Sequence, residues 1–210
     1  MSHKNKIKEW LASVNKTSKP RLLFRASCKG WNAPDFHQCC DNKGPTLTVV
    51  KISSGYVFSG YSDQSWTLSS SGTWSASNSA FLLSLKCVAG FYPVQIKVAS
   101  SKSNQANAVY NGKDYCPIFG NGHHFRINHN SNLDSSSYSN FASGSYPMPT
   151  GVTDPYFLAG ARSFCVSEYE VFAQSKSTQI IILFNSISWF YSVIFVIISF
   201  YTFYVCVYIY

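Results

Sequence analysis

Residues 36–66, FHQCCDNKGPTLTVVKISSGYVFSGYSDQSW, decide the fold. The first five residues end a short helix, because Gly44 and Pro45 break any helix that follows. Residues 46–52 are an alternating, β-branched run, which predicts a half-buried strand. A Ser-Ser-Gly turn then leads into residues 56–61, which are again β-branched and aromatic. The stretch therefore predicts a β-hairpin.

The second strand of this hairpin contains Gly60. A glycine inside a strand indicates a bulge or the close approach of another part of the chain. Two strands alone are only marginally stable in water. We therefore expect the hairpin to lie inside a larger sheet that the rest of the chain supplies.

Upstream of the hairpin, the sequence predicts two helices and one strand. Residues 21–27 (RLLFRAS) are a first strand, and Asn32, Pro34 and Asp35 are typical of the start of a helix that runs to about Cys40. An earlier short helix is predicted at residues 6–14, with one apolar stripe formed by Ile7, Trp10, Leu11 and Val14.

Downstream, short strands alternate with Ser-, Asn- and Gly-rich connectors. Strands are predicted at residues 79–86, 92–98, 109–110, 116–119, 124–128, 157–161 and 164–172. Connectors are predicted at residues 62–79, with Trp66 and Trp74 as buried anchors, and at residues 100–108 and 129–156. Strands at this spacing, with few helices, favour a mainly β (α+β) class. We expect a two-sheet antiparallel β-sandwich with a few short flanking helices.

The net charge of +8 is concentrated near the start of the chain. Residues 1–30 have a net charge of +7, whereas residues 31–210 have a net charge of only +1. The basic character therefore belongs to a leader at residues 1–20, which we interpret as a solvated arm with no nucleic-acid partner. The sandwich domain is predicted to span residues 21–173.

The chain ends in a hydrophobic tail at residues 177–210, which contains no charged residue. Residues 189–210 would span roughly 33 Å as a helix, enough to cross a bilayer. The composition of residues 180–210, with eleven aromatics, one Leu and no Ala or Gly, also fits translated non-coding sequence. The tail is therefore interpreted in two ways, as a membrane anchor or as a gene-model artefact.

The seven cysteines support neither a disulfide framework nor a zinc ribbon, because their number is odd and no C-x-x-C pair occurs. The first residues lack the apolar core of a signal peptide, so we expect a cytoplasmic domain, with membrane anchoring only through the tail. His37, Cys39 and Cys40 crowd one helix end, but the remaining metal ligands would have to come from unrelated loops. Cys39 and Cys40 are instead candidate redox thiols.

No motif predicts a catalytic site or a cofactor. The nucleophile elbow G-x-S-x-G is absent, and the glycines 120 and 122 lack the Lys-Ser/Thr pair of a phosphate loop. His123 and His124 flank a predicted strand, so their side chains point to opposite faces. Glu168 and Glu170 share one face of the last strand with Val166 and are interpreted as a partly solvated or partner-facing edge.

The chain resembles the TLDc family in seven segments that occur in order. These are residues 22–31 (LLFRASCKGW), 36–46 (FHQCCDNKGPT), 55–66 (GYVFSGYSDQSW), 81–85 (FLLSL), 117–127 (PIFGNGHHFRI), 137–140 (SYSN) and 157–172 (FLAGARSFCVSEYEVF). The resemblance implies a β-sandwich flanked by helices, without established catalytic residues. It also implies a role in oxidative-stress protection and binding to the cytosolic sector of the vacuolar proton ATPase.

We therefore expect a non-enzymatic protein-binding domain. The candidate partner-binding residues are Gly120, Gly122 and His124 at the glycine turn, together with Glu168 and Glu170. Two alternatives are a thiol-based peroxide scavenger that uses Cys39 or Cys40, and a membrane-tethered adaptor that uses the tail.

Overall fold

The computed structural model describes residues 17–18, 21–87, 93–173 and 179–180. Its strands are β1 Thr17–Ser18, β2 Arg21–Arg25, β3 Thr46–Ile52, β4 Val57–Ser62, β5 Thr73–Ser75, β6 Phe81–Lys86, β7 Val94–Lys97, β8 Val109–Asn111, β9 Ile118–Phe119, β10 Phe125–Arg126, β11 Ser137–Tyr138, β12 Ser163–Phe164, β13 Val166–Ala173 and β14 Gln179–Ile180. The helices are α1 Ala26–Lys29, α2 Ala33–Cys40 and α3 Lys102–Ala106.

The described strands form two antiparallel six-stranded sheets and one short parallel pair. The first sheet has the strand order β2-β13-β3-β4-β6-β7, with the predicted hairpin β3–β4 at its centre. The second sheet has the order β12-β11-β10-β9-β8-β5, and β1 pairs with β14. The predicted fold class, a mainly β two-sheet sandwich with few short helices, is confirmed.

The core lies between the two sheets and is rich in aromatic rings. Phe58 on β4 contacts Phe125 and Phe164 of the second sheet, with ring centroids 5.3 and 5.6 Å apart. At Gly60 an added Cβ would lie 2.6 Å from the ring of Phe119. The predicted close approach at Gly60 is therefore confirmed, because only a residue without a side chain lets the Phe119 ring lie against β4.

Trp66 ties the two ends of the fold-deciding stretch together. It is 1% exposed, and its Nε1 donates a hydrogen bond to Oγ1 of Thr46 at 2.8 Å. Its ring meets Phe36 at 5.4 Å and Phe119 at 5.7 Å in edge-to-face contacts. Helix α2, strand β3 and the second sheet therefore share one aromatic cluster.

Helix α2 begins where the sequence predicts it. Asn32 and Asp35 form a capping box, with Pro34 in the first turn. The backbone N–H of Asn32 donates to Oδ2 of Asp35 at 3.1 Å. Strand β3 also has the predicted bounds, since a Gly-Pro pair and a Ser-Ser-Gly turn limit its β-branched run.

Several predicted connectors contain regular structure. Residues 62–79 contain β5, where Trp74 is only half-buried and meets Tyr110 at 4.9 Å. Residues 100–108 contain α3, which starts where the Ser101 hydroxyl accepts a hydrogen bond from the N–H of Asn104. Residues 129–156 contain β11, and the first strand ends at Arg25 because α1 follows it.

The strand predicted at residues 157–161 is wrong. Residues 155–160 form consecutive turns, which begin where the carboxylate of Asp154 accepts a hydrogen bond from the N–H of Tyr156. Phe157, Leu158 and Ala159 are all buried. Three successive buried side chains do not fit the alternation of a half-exposed strand, whereas a turn can direct all three into the core.

The leader helix at residues 6–14 and the proposed membrane span at residues 189–210 lie outside the described residues, so these two predictions stay predictions. The domain boundaries at residues 20, 173 and 177 also stay predictions. Within the described ranges, no helix has the length and apolar character needed to cross a bilayer.

Candidate functional site

The glycine turn, residues 120–123, is held by the backbone. Gly120, Gly122 and His123 have φ angles of 74°, 102° and 56°, in the left-handed region that favours glycine. The N–H of Gly120 donates to the carbonyl of Ala108 at 2.9 Å, and the N–H of His123 donates to the carbonyl of Gly120 at 2.9 Å. The turn is therefore preformed rather than loose.

His124 is the buried support of this turn. Its ring lies between Phe141 and Tyr146, with centroids 4.8 and 5.1 Å away. Nε2 accepts a hydrogen bond from the N–H of Tyr146 at 3.2 Å, so the proton of the neutral ring is on Nδ1. Burial lowers the pKa of His124 to about 4. His124 is 0% exposed, so it shapes the surface without being part of it.

A second loop, residues 142–144, packs directly on the glycine turn. An added Cβ on Gly144 would clash with the carbonyl oxygen of Asn121, and one on Gly122 would lie 2.7 Å from the carbonyl oxygen of Ser143. These close backbone contacts explain the glycines at both positions. Asn121 and Gly122 are exposed beside this loop, so they present small polar groups to solvent.

A group of four side chains beside the turn forms what we call the basic patch: His123, Arg126, Tyr138 and Arg162. The guanidinium of Arg162 lies over the Tyr138 ring, 5.1 Å from its centroid. The ring of His123 meets the same tyrosine edge-on at 6.2 Å. Arg126 pairs with Tyr138 across β10 and β11. Strand pairing therefore brings these groups from three separate segments to one place.

The electrostatics of the basic patch are positive. Partial burial favours a higher pKa for Tyr138, but hydrogen bonds with Asn140 and Arg162, and the charges of Arg162 and Arg126, lower it overall. Burial, together with the charge of Arg126, also lowers the pKa of His123. The histidine is therefore neutral at pH 7, and the positive charge comes from the two arginines.

One donor of the basic patch has no internal partner. Nε of Arg126 is buried, yet within the described part of the chain it makes no hydrogen bond. Sequence reasoning did not select Arg126, Tyr138 or Arg162, because β10, β11 and β12 have two residues each and show no periodicity. The one signal in the sequence was Arg126, a cation that lies close to the glycine turn in residues 117–127.

The prediction that Glu168 and Glu170 form a partly solvated edge is wrong, whereas their assignment as partner-binding residues stays a prediction. The residues are 7% and 0% exposed. A register shift between Val166 and Glu168 breaks the expected alternation, so Val166 joins the core and does not share the face of the two acids.

Each of these acids has an internal partner. Oε1 of Glu170 accepts a hydrogen bond from Nε of Arg25 on β2. Oε1 of Glu168 accepts from the N–H groups of Ser27 and Tyr169, at 3.2 and 3.0 Å. Burial raises the pKa of Glu170, and the hydrogen bond with Arg25 offsets part of that effect. The two acids therefore join strand β13 to its neighbours.

The helix end at residues 37–40 is also occupied by internal contacts. Nδ1 of His37 lies 2.7 Å from Oδ1 of Asp41, and Nε2 lies 3.0 and 3.1 Å from the carbonyls of Gly112 and Tyr115. Both ring nitrogens thus face acceptors, which holds α2 against the second sheet. Among the described residues, no three His, Cys, Asp or Glu side chains are grouped to hold a metal ion.

The candidate redox thiols differ in access. Cys40 is buried, and burial together with the neighbouring Cys39 raises the pKa of its thiol. Cys39 is half-buried. A raised pKa keeps Cys40 in the thiol form, which is the less nucleophilic one.

Most of the chain matches the sequence model of a known protein family. The TLDc domain model matches residues 1–175. The chain belongs to the TLDc domain family. The TLDc match includes both six-stranded sheets and the leader, and it ends two residues after β13.

A curated relative matches over a shorter segment. The MTOR-associated protein MEAK7 of Danio rerio is 39% identical over 46 residues, which is 22% of this chain and 10% of that protein. The aligned segment thus spans about a tenth of the relative's length.

Proposed function

We propose that this TLDc protein is a non-enzymatic binding domain whose contact surface is the glycine turn together with the basic patch. The observation that carries the proposal is the position of Arg162 over Tyr138, beside a turn that is fixed by its own backbone. A preformed backbone and a stacked arginine lose little conformational freedom on binding. Tyr and Arg are also enriched among residues that dominate interface energies.

The charge of the surface indicates the chemistry of the partner. Arg126 and Arg162 supply two positive charges, and Arg162 is exposed. A carboxylate can accept two parallel hydrogen bonds from one guanidinium. An acidic protein segment is therefore the partner that this surface fits best.

The potentially reactive side chains support binding rather than catalysis, because their contacts are internal. His124 accepts from the Tyr146 backbone, His37 lies among three oxygen acceptors, and Glu170 pairs with Arg25. Catalytic acids and bases need a free position within hydrogen-bond reach of a substrate. These three groups instead stabilise the surface and the sheets.

Two partners are proposed from the family. The cytosolic sector of the vacuolar proton ATPase is the partner that the TLDc resemblance implies, and an oxidative-stress role would follow from that contact. The relative from Danio rerio is named as MTOR-associated, so an MTOR-containing complex is the second partner. TLDc membership supports protein binding in general, and the basic patch supplies the testable surface.

The test is capture of purified partners by the full chain. The bait is wild type, Arg126→Glu/Arg162→Glu, or Lys102→Glu as a charge-reversal control on an exposed residue of α3. We expect wild type and control to retain the ATPase sector and the double variant to lose it. If neither wild type nor the control retains the ATPase sector or an MTOR complex, both proposed partners are refuted.

The peroxide-scavenger alternative is less well supported by the geometry. Cys40 is buried with a raised thiol pKa, and reactive thiols need an exposed, electropositive setting. Unchanged peroxide protection by a Cys39→Ser/Cys40→Ser variant would remove this alternative. The membrane-tethered adaptor depends on the tail at residues 189–210, for which carbonate extraction of the full chain is the test.

A further inference from the structure

The outer face of the first sheet, turned away from the second sheet, carries a group of large apolar side chains. Strand register places seven large side chains on this face, opposite to Val50 and Phe58 of the core. They are Leu47, Val49, Val57, Tyr61, Phe81, Leu83 and Phe172. Tyr61 and Phe81 stack at 4.9 Å with an interplanar angle of 19°.

These seven side chains are buried although they lie outside the core. Each is between 2% and 6% exposed. Among the described residues, the hydrophobic cluster between the sheets includes none of these seven side chains. Among the described elements, helices α1 and α2 pack on this sheet mainly at its edge, against β2 and β13. The centre of the outer face therefore needs a cover of its own.

We propose that the leader, residues 6–14, docks on this outer face as an amphipathic helix. Its stripe of Ile7, Trp10, Leu11 and Val14 has the i, i+3, i+4, i+7 spacing of a one-sided apolar helix. Nine helical residues span about 13 Å, and the three strands β3, β4 and β6 lie about 10 Å across. The length of the stripe thus matches the width of the apolar surface.

The chain path allows this docking. The leader enters the sheet at Arg21, which pairs with Ala173 at the edge strand β2. Residues 15–20, which include the paired strand β1, connect Val14 to Arg21, and this connection reaches up to about 25 Å when extended. The distance from β2 to β6 is four strand spacings, or about 19 Å. The connection therefore reaches the stacked Tyr61 and Phe81.

The family match favours the leader over the tail as the occupant. The TLDc match begins at residue 1 and ends at residue 175, so the leader lies within it and the tail outside it.

A site-specific photo-crosslinker in the full chain tests this docking. Benzoylphenylalanine replaces Trp10 on the apolar stripe, and in a matched control it replaces Glu9 on the opposite side of the predicted helix. We expect the Trp10 probe to give intramolecular cross-links to peptides from β3, β4 or β6, and the Glu9 probe not to. Cross-links from Trp10 to the second sheet, the tail or another copy, or none at all, would overturn the proposal.

Hydrogen exchange gives an independent readout. Leu11→Lys should speed amide exchange in β4 and β6 by roughly tenfold, because it uncovers their outer face, whereas Ala12→Lys should not. Equal exchange in both variants would contradict the docking. The inference does not depend on the proposed partner, since neither experiment contains one. If Leu11→Lys cannot be purified, the cross-linking result decides alone.

Discussion

His124 accepts a hydrogen bond through Nε2 from the backbone N–H of Tyr146, at 3.2 Å. This contact joins the residue after the glycine turn to the loop that packs on it. Because both groups are buried, the surface above them has a defined shape. The proposed contact surface depends on that shape, and the buried histidine makes the shape sensitive to pH.

The first prediction concerns stability at low pH. The folded pKa of His124, about 4, lies below its ordinary value of 6.5, so the unfolded chain takes up the proton first. The stabilisation from a neutral His124 is complete above about pH 6.5 and is lost as the pH falls toward 4. Its size is on the order of 3 kcal/mol.

Chemical denaturation of wild type and His124→Gln between pH 7 and 4 measures this effect. The glutamine keeps an acceptor for Tyr146 but does not titrate, so its free energy of unfolding should fall less steeply. Parallel curves for the two proteins would show that His124 is not the titrating group.

The second prediction concerns the contact between the sheets. Gly60→Ala should lower the free energy of unfolding by about 1–3 kcal/mol, because the added Cβ would lie 2.6 Å from the Phe119 ring. Phe119→Leu in the same chain should reduce the additional cost of Gly60→Ala. Strict additivity of the two changes would mean that the residues do not share this contact.

The third prediction concerns the Arg25–Glu170 pair. Arg25→Met leaves the Glu170 carboxylate buried without this cation and should cost about 1–3 kcal/mol at pH 7, since the arginine is 24% exposed. Adding Glu170→Gln should recover part of the loss. The double-mutant cycle is read by urea denaturation, and a coupling energy of zero would rule out a stabilising pair.

The sequence predicted the features that neighbouring residues determine, and it missed those that depend on residues far apart in the chain. Strand β3 and helix α2 were predicted correctly because Gly-Pro, Ser-Ser-Gly and the Asn32–Asp35 capping box are local signals. The burial of Glu170 was missed because its partner, Arg25, is 145 residues away. The basic patch was missed for the same reason, since register alone joins its strands. No local pattern encodes such pairs.

The fourth prediction concerns thiol reactivity. In the folded chain, iodoacetamide should label the exposed Cys28 much faster than the buried Cys40 and Cys116. Burial raises the pKa of Cys116 to about 12, and it also raises the pKa of Cys40, so little thiolate forms at pH 8. Mass spectrometry with and without denaturant gives the rates. Rapid native labelling of Cys40 would revive the peroxide-scavenger hypothesis.

The most direct test of the central claim is the affinity of the full chain for the purified cytosolic sector of the vacuolar proton ATPase, measured at two salt concentrations. For Arg126→Glu/Arg162→Glu we predict at least a roughly tenfold weaker affinity than wild type, because two surface cations are reversed. Lys102→Glu should bind like wild type. Equal affinity of the double variant and wild type at both salt concentrations would contradict the claim that the basic patch is the contact surface.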